Sequence, residues 1–229
     1  MKVRRILAVL AATAALLTGA LPAAAAPSAV GTGTVATSRS ADSLSDLLTQ
    51  CSADFVQGDS RLGPQRLPLL GIVGAEVFGY LRTGSLSPQK FLAQYWDPAA
   101  GAWIYPPQDG YVLNLDGTPL KTSTTLRPGQ DIDRYGSEYG AFLAPEGLSY
   151  AGRSIPPSSL DGTPAAGCNY HDYRVLKQFT VYSGPIASWF GQPGHGIQYQ
   201  LDRTLVPGAP EQGFNVGWLV DQGYLKRLV

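Results

Sequence analysis

Trp103-Ile104-Tyr105-Pro106-Pro107-Gln108-Asp109-Gly110-Tyr111 marks the point where the chain changes texture. Beyond it, short apolar pieces alternate with Gly and Pro. Residues 111–115, 174–181, 196–201 and 217–220 have the length and composition of strands. Asp116-Gly117 between the first of these and the next suits a hairpin turn or bulge. Recurrent turns with few long helical periods predict an α+β domain with a mostly antiparallel β core and short helices. The paired prolines at 106 and 107 remove backbone donors, which suits the edge where such a domain begins.

Upstream of this stretch the pattern is helical. Ser87 is a good N-cap, Pro88 fits the first helical position, and Phe91, Leu92, Tyr95 and Trp96 share a face. Pro98 disfavours continuation through Asp97. Residues 45–56 fit a short helix, while 69–81 is apolar and Gly-containing, ambiguous between helix and strand. Residues 44–98 therefore read as a small, partly helical N-terminal appendage to a main domain at 99–229. Residues 27–43, rich in Ser, Thr, Gly and Ala, read as a flexible linker.

The first 26 residues have the form of a secretory signal. Lys2, Arg4 and Arg5 precede an apolar run from Ile6 to Leu17, and the small residues Ala23 to Ala26 offer cleavage sites. The apolar run is short for a membrane span and no later one reaches 18 residues, so a secreted, extracellular protein without a membrane anchor is expected. Cleavage after Ala26 leaves 14 basic against 17 acidic residues. That balance lacks the electrostatic footprint of a nucleic-acid binder. The two cysteines, Cys51 and Cys168, fit no zinc or CxxC spacing. In an exported chain one long-range disulfide is the simplest reading, with two free thiols the alternative.

The chain contains no GxSxG, HExxH, P-loop or EF-hand sequence, and its two histidines, His171 and His195, are isolated. Its unusual segments are 103–111, then Asp133-Arg134-Tyr135-Gly136 running on to Gly147, Arg153-Ser154-Ile155-Pro156-Pro157, Asn169-Tyr170-His171-Asp172-Tyr173 and Trp189-Phe190-Gly191-Gln192-Pro193-Gly194-His195-Gly196-Ile197-Gln198-Tyr199. Taken in order, these resemble the tuberculosis necrotizing toxin family, whose domain is shared by secreted fungal NAD glycohydrolases. The resemblance runs from Trp103 to the C-terminus.

The resemblance implies a compact, mostly antiparallel β fold that cleaves the nicotinamide–ribose bond of NAD, and usually of NADP, with no cofactor and no metal. It places the leading functional positions, read as catalytic, on Arg134 and Gln198. It adds Arg153 and Tyr135 to the substrate-binding set, and His171 by analogy with the bacterial toxin branch. His195 stands where relatives often carry glycine. Related toxins are restrained by an inhibitor protein, so such a partner is an expectation here. The appendage offers a surface for a homodimer.

The residue chemistry is consistent with that activity. A guanidinium fork matches pyrophosphate oxygens, each charge-assisted hydrogen bond being worth roughly 1.5–3 kcal/mol. Tyr139, Trp189 and Phe190 are candidates, with Tyr135, for stacking on the adenine or nicotinamide ring. Nicotinamide leaves as a neutral base from a cation, so the acid that an ordinary glycosidase needs is dispensable. Asp133 and Glu138 are candidate carboxylate helpers. Taken alone, Asp133-Arg134 favours a structural ion pair, and within the ordered set it favours substrate binding. The rival readings are an ADP-ribosyltransferase and a non-catalytic secreted module that binds a nucleotide or glycan.

Overall fold

The structure is a computed structural model that describes residues 44–228. The signal segment at 1–26 and the linker at 27–43 lie outside the described residues. Three short helices come first: α1 (Leu44–Thr49), α2 (Gly71–Glu76) and α3 (Pro88–Tyr95). The start of α3 is the one its sequence specifies, with the Ser87 hydroxyl accepting the Lys90 N–H and Pro88 in the first turn. A two-residue hairpin follows, β1 (Trp96–Asp97) against β2 (Ala102–Trp103).

Seven further strands form one antiparallel sheet. They are β3 (Thr122–Leu126), β4 (Asp131–Tyr135), β5 (Phe142–Pro145), β6 (Tyr170–Val175), β7 (Phe179–Pro185), β8 (Ile197–Gln200) and β9 (Leu225–Arg227), with α4 (Val216–Asp221) before the last. Their spatial order is β3-β7-β8-β5-β4-β6-β9. The fold is thus the α+β class with a mostly antiparallel core that the turn-rich sequence predicts.

Three local expectations change. Residues 174–181 are not one strand, because Leu176 and Lys177 both donate to the Tyr224 carbonyl and turn the chain between β6 and β7. Residues 217–220 are helical. Asn215 caps the Trp218 N–H, and Val216 and Leu219, three apart, bury together on the sheet, so packing overrides the strand propensity of this run. Residues 111–115 make only bridges, Tyr111 to Ile186 and Leu113 to Pro119, although the Asp116-Gly117 turn forms, with Gly117 at φ +81°.

Side-chain alternation divides the sheet into two faces. Ile132, Tyr173, Val175 and Val181 point to the core under α4. Asp133, Tyr135 and Tyr170 point the other way, toward α2 and the loops after β5. Cys51 and Cys168 are joined in a disulfide that crosses 117 residues and ties the N-terminal segment to the loop before β6. Closing so long a loop stabilises the native state by roughly 2–5 kcal/mol. Intact-mass measurement with thiol labelling should find no labelled cysteine without reductant, and reduction should lower the melting temperature.

Candidate active site

A cavity of about 410 Å³ opens on the second face of the sheet. Tyr135, Phe142, Ala144 and Gln198 form its sheet-side wall, the 105–110 segment one flank and residues 153–156 the other. It brings together four of the residues singled out in the sequence: Arg134, Tyr135, Arg153 and Gln198.

The two arginines are held differently. Arg134 is near the end of β4, and its guanidinium donates from Nε to the Gly136 carbonyl (3.1 Å) and from Nη1 to the Phe142 carbonyl (2.7 Å). Among the described residues it forms no ion pair; burial lowers its pKa, against the weaker pull of Tyr173 and Glu138. The structural ion pair with Asp131 or Asp133 does not form: Asp131 pairs with Arg174, and Asp133 with Arg153.

Gly140 packs so closely that a Cβ there would collide with Arg134 Nη2 and Nη1. This close approach requires glycine. Gly140→Ala is therefore expected to displace the guanidinium and lower turnover of the substrate about tenfold. Circular dichroism of the same sample should show the fold unchanged.

Arg153 is held by two carboxylates and a carbonyl. Its Nη1 donates to Asp133 (2.5 Å), Nη2 to Glu76 (3.0 Å) and Asp133 (2.8 Å), and Nε to the Leu148 carbonyl (3.1 Å). The side chain is almost fully buried over the Tyr135 ring. A guanidinium with its donors committed in this way braces the cavity floor and has little capacity left for phosphate. Arg153→Met would leave buried Asp133 without its counter-charge and Glu76 without a donor, and is expected to destabilise the fold by about 3–5 kcal/mol, measurable by urea unfolding.

Gln198 on β8 donates its Nε2 to the Asp109 carbonyl (2.9 Å). That bond, with the Tyr111 side chain beside it, fixes the orientation of the amide. Asp109 belongs to a run of left-handed residues, Gln108 (φ +50°), Asp109 (φ +56°) and Gly110 (φ +78°). Two such non-glycine residues in succession store strain, a feature that concentrates at functional sites. The Asp109 carboxylate accepts from Gln200 Nε2 (2.9 Å), and Lys121 Nζ donates to Gln200 Oε1 (2.9 Å). Nothing in the 103–111 segment marks Asp109, because the left-handed backbone that sets its carbonyl on Gln198 is invisible in sequence.

The remaining sequence candidates fall outside the cavity wall. Tyr139 is 88% exposed on a turn. His171 pairs directly opposite Arg134 across β4 and β6, half-buried with its pKa lowered by burial, and it stacks on Tyr173. Trp189 donates its indole N–H to the Ile104 carbonyl and packs on Tyr95. Phe190 is fully buried in an aromatic cluster with Phe91 and Tyr95. The stacking role expected of Phe190 gives way to support, since its ring meets Tyr105, which does line the cavity.

Neither carboxylate helper faces the cavity. Asp133 is sealed against Arg153, and Glu138 is bound by Arg227 and the Tyr173 hydroxyl. Phe142, like Tyr105, is a cavity aromatic that the sequence reading missed. It stands on the wall with its carbonyl on Arg134, and only the β4–β5 pairing brings the two together. Among the described residues no group of three His, Cys, Asp or Glu is arranged to hold a metal.

Residues 125–228 match the family described as tuberculosis necrotizing toxin. Over 177 residues the chain is 44% identical to the conidial surface nicotinamide adenine dinucleotide glycohydrolase nadA of Aspergillus fumigatus, covering 76% of this chain and 71% of that protein. The chain belongs to the tuberculosis necrotizing toxin family. Among solved structures, tuberculosis necrotizing toxin complexed with its immunity factor is 20% identical with a TM-score of 0.46, over 62% of this chain and 71% of that one. Rhs1-CT in complex with its cognate immunity protein is 13% identical with a TM-score of 0.30, over 48% and 77%. The stretch that matches the toxin family begins within β3 and contains Arg134, Phe142, Arg153 and Gln198. Asp109 and the whole helical segment through α3 lie before it.

Proposed function

We propose that this chain hydrolyses the nicotinamide–ribose bond of NAD, releasing nicotinamide and ADP-ribose. Family membership and the NAD glycohydrolase relative support the activity. The geometric observation that carries it is one cavity bordered by an arginine without a carboxylate partner and a glutamine whose amide is already oriented.

In this reading Arg134 takes the pyrophosphate. Its Nη2 edge is free of a protein acceptor among the described residues, and a partly buried guanidinium gains from an anion. Phe142 and Tyr105 offer ring faces for the heterocycles. The Gln198 amide is assigned to the ribose region, where it holds a hydroxyl as charge develops on the sugar. The C–N bond breaks with its electron pair passing to nicotinamide, which departs neutral. Water then adds to the anomeric carbon and its proton passes to solvent. No step requires an acid on the leaving group, which is consistent with the absence of a free carboxylate pair on the cavity wall.

The proposal extends to export by the segment at 1–26, to NADP as a second substrate, and to an inhibitor, which would act by covering the cavity mouth. No helix of the described residues is long and apolar enough to cross a membrane. NAD labelled in its adenylate half tests the reaction class. Label recovered as free ADP-ribose supports hydrolysis, whereas label bound to protein would turn the assignment to ADP-ribosyl transfer.

A further inference from the structure

The family match starts at residue 125, yet the floor of the cavity depends on a side chain 49 residues earlier. Glu76 ends α2 and is 2% exposed. A carboxylate at a helix C-terminus meets the negative end of the backbone dipoles, and burying it adds a desolvation cost. Three donors converge to offset this. The Tyr135 hydroxyl (2.9 Å) and Arg153 Nη2 (3.0 Å) donate to Oε2, and the Gly147 N–H (3.1 Å) donates to Oε1. The Glu76 carbonyl accepts the Tyr150 N–H as well (2.7 Å). One residue therefore grips β4, through Tyr135, and both ends of the 147–153 loop, through Gly147 and Arg153.

Both of the side chains it grips border the cavity. We propose that Glu76 is a positioning residue for the NAD site, by which the N-terminal segment locks Tyr135 and Arg153 into the cavity floor. This rests on the NAD-cleaving reading for its kinetic consequence and on the geometry alone for its structural one. Arg153 faces two carboxylates, Glu76 from α2 and Asp133 from β4, and the Tyr170 hydroxyl from β6 donates to Asp133 (3.2 Å). Asp172 of β6 is directly opposite Asp133 and adds a further negative neighbour. Burial is the main influence on Glu76 and pushes its pKa up to about 8, against the pull of Arg153. Asp133 close by raises it further, so the three donors fix the position of the carboxyl group. An amide keeps one acceptor oxygen and turns the other edge into a donor, so Glu76→Gln sets an N–H against either Gly147 or the Tyr135–Arg153 pair and loosens the grip with no change of size.

The test uses the full chain as Glu76→Gln, Tyr135→Phe and the double variant, with near-ultraviolet circular dichroism to confirm folding. Amide exchange read by mass spectrometry is expected to rise in Glu76→Gln at residues 133–136 and 147–153 and to stay unchanged in β3 and β7. The kcat for NAD is expected to fall about tenfold with KM changed less than about threefold. In the Tyr135→Phe background the same substitution should cost less than about threefold, because one route of action is already cut. Unaltered exchange in both segments would overturn the proposal, and so would a kcat loss equal in the two backgrounds. Wild-type protein that turns over no NAD would sink the functional reading alone, since the exchange measurement still decides the positioning.

Discussion

Arg134→Ala is expected to lower kcat/KM for NAD about 100-fold, with both kcat and KM affected. Two effects combine. The substrate loses a charge-assisted partner worth roughly 1.5–3 kcal/mol, which is about 10- to 150-fold in capture. The Phe142 carbonyl also loses its donor, so the aromatic wall beside the pyrophosphate is freed. Stability should change little, because the guanidinium makes no ion pair among the described residues and its removal relieves a burial cost. Arg134→Lys keeps the charge but cannot span the Gly136 and Phe142 carbonyls while presenting an edge to phosphate, so it should recover only a fraction of the activity. Steady-state kinetics on the three proteins, with melting temperatures alongside, provide the check. A defect in KM alone for Arg134→Ala would mean that the arginine grips substrate and transition state equally.

Gln198→Ala is the second large effect, and it should fall on turnover. Removing a single preorganised polar contact at a reacting centre typically costs about 10²- to 10³-fold in kcat. KM should move by less than about threefold, since the amide is assigned to the ribose and not to the pyrophosphate. Gln198→Glu is the sharper variant. The carboxylate cannot donate to the Asp109 carbonyl, so the side chain should swing from its seat despite its similar shape. Comparable losses in Gln198→Ala and Gln198→Glu are expected. Wild-type kcat in either would remove Gln198 from the chemistry.

Some of this architecture is legible from residues alone. The start of α3 is written in Ser87-Pro88, and the strand at 197–200 is short, apolar in part and bounded by turn formers. The disulfide is the simpler of two readings of the cysteines, and the structure joins them. Other elements depend on partners that a local reading cannot see. Residues 216–221 are strand-like in composition and become helical because Val216 and Leu219 find the sheet. The split between β6 and β7 is decided by a carbonyl at Tyr224, far along the chain.

The site divides in the same way. Arg134 and Gln198 are marked by their ordered segments, and the cavity holds both. Arg153 carries the same side chain as Arg134, and only the structure shows it buried between Asp133 and Glu76. Phe190 lies in a conspicuous aromatic pair, yet its ring is one layer behind the wall, beneath Tyr105. Glu76 has no motif at all. Its position emerges only when α2 is docked against β4 and the 147–153 loop.

The most direct measurement is the time course of nicotinamide release from NAD by purified, oxidised wild-type chain beside Arg134→Ala and Gln198→Ala, each shown to be folded. Wild type should release nicotinamide and free ADP-ribose in equal amounts, with each variant slower by about two orders of magnitude. Folded wild type that leaves NAD intact, or variants that match its rate, would contradict the assignment of this cavity.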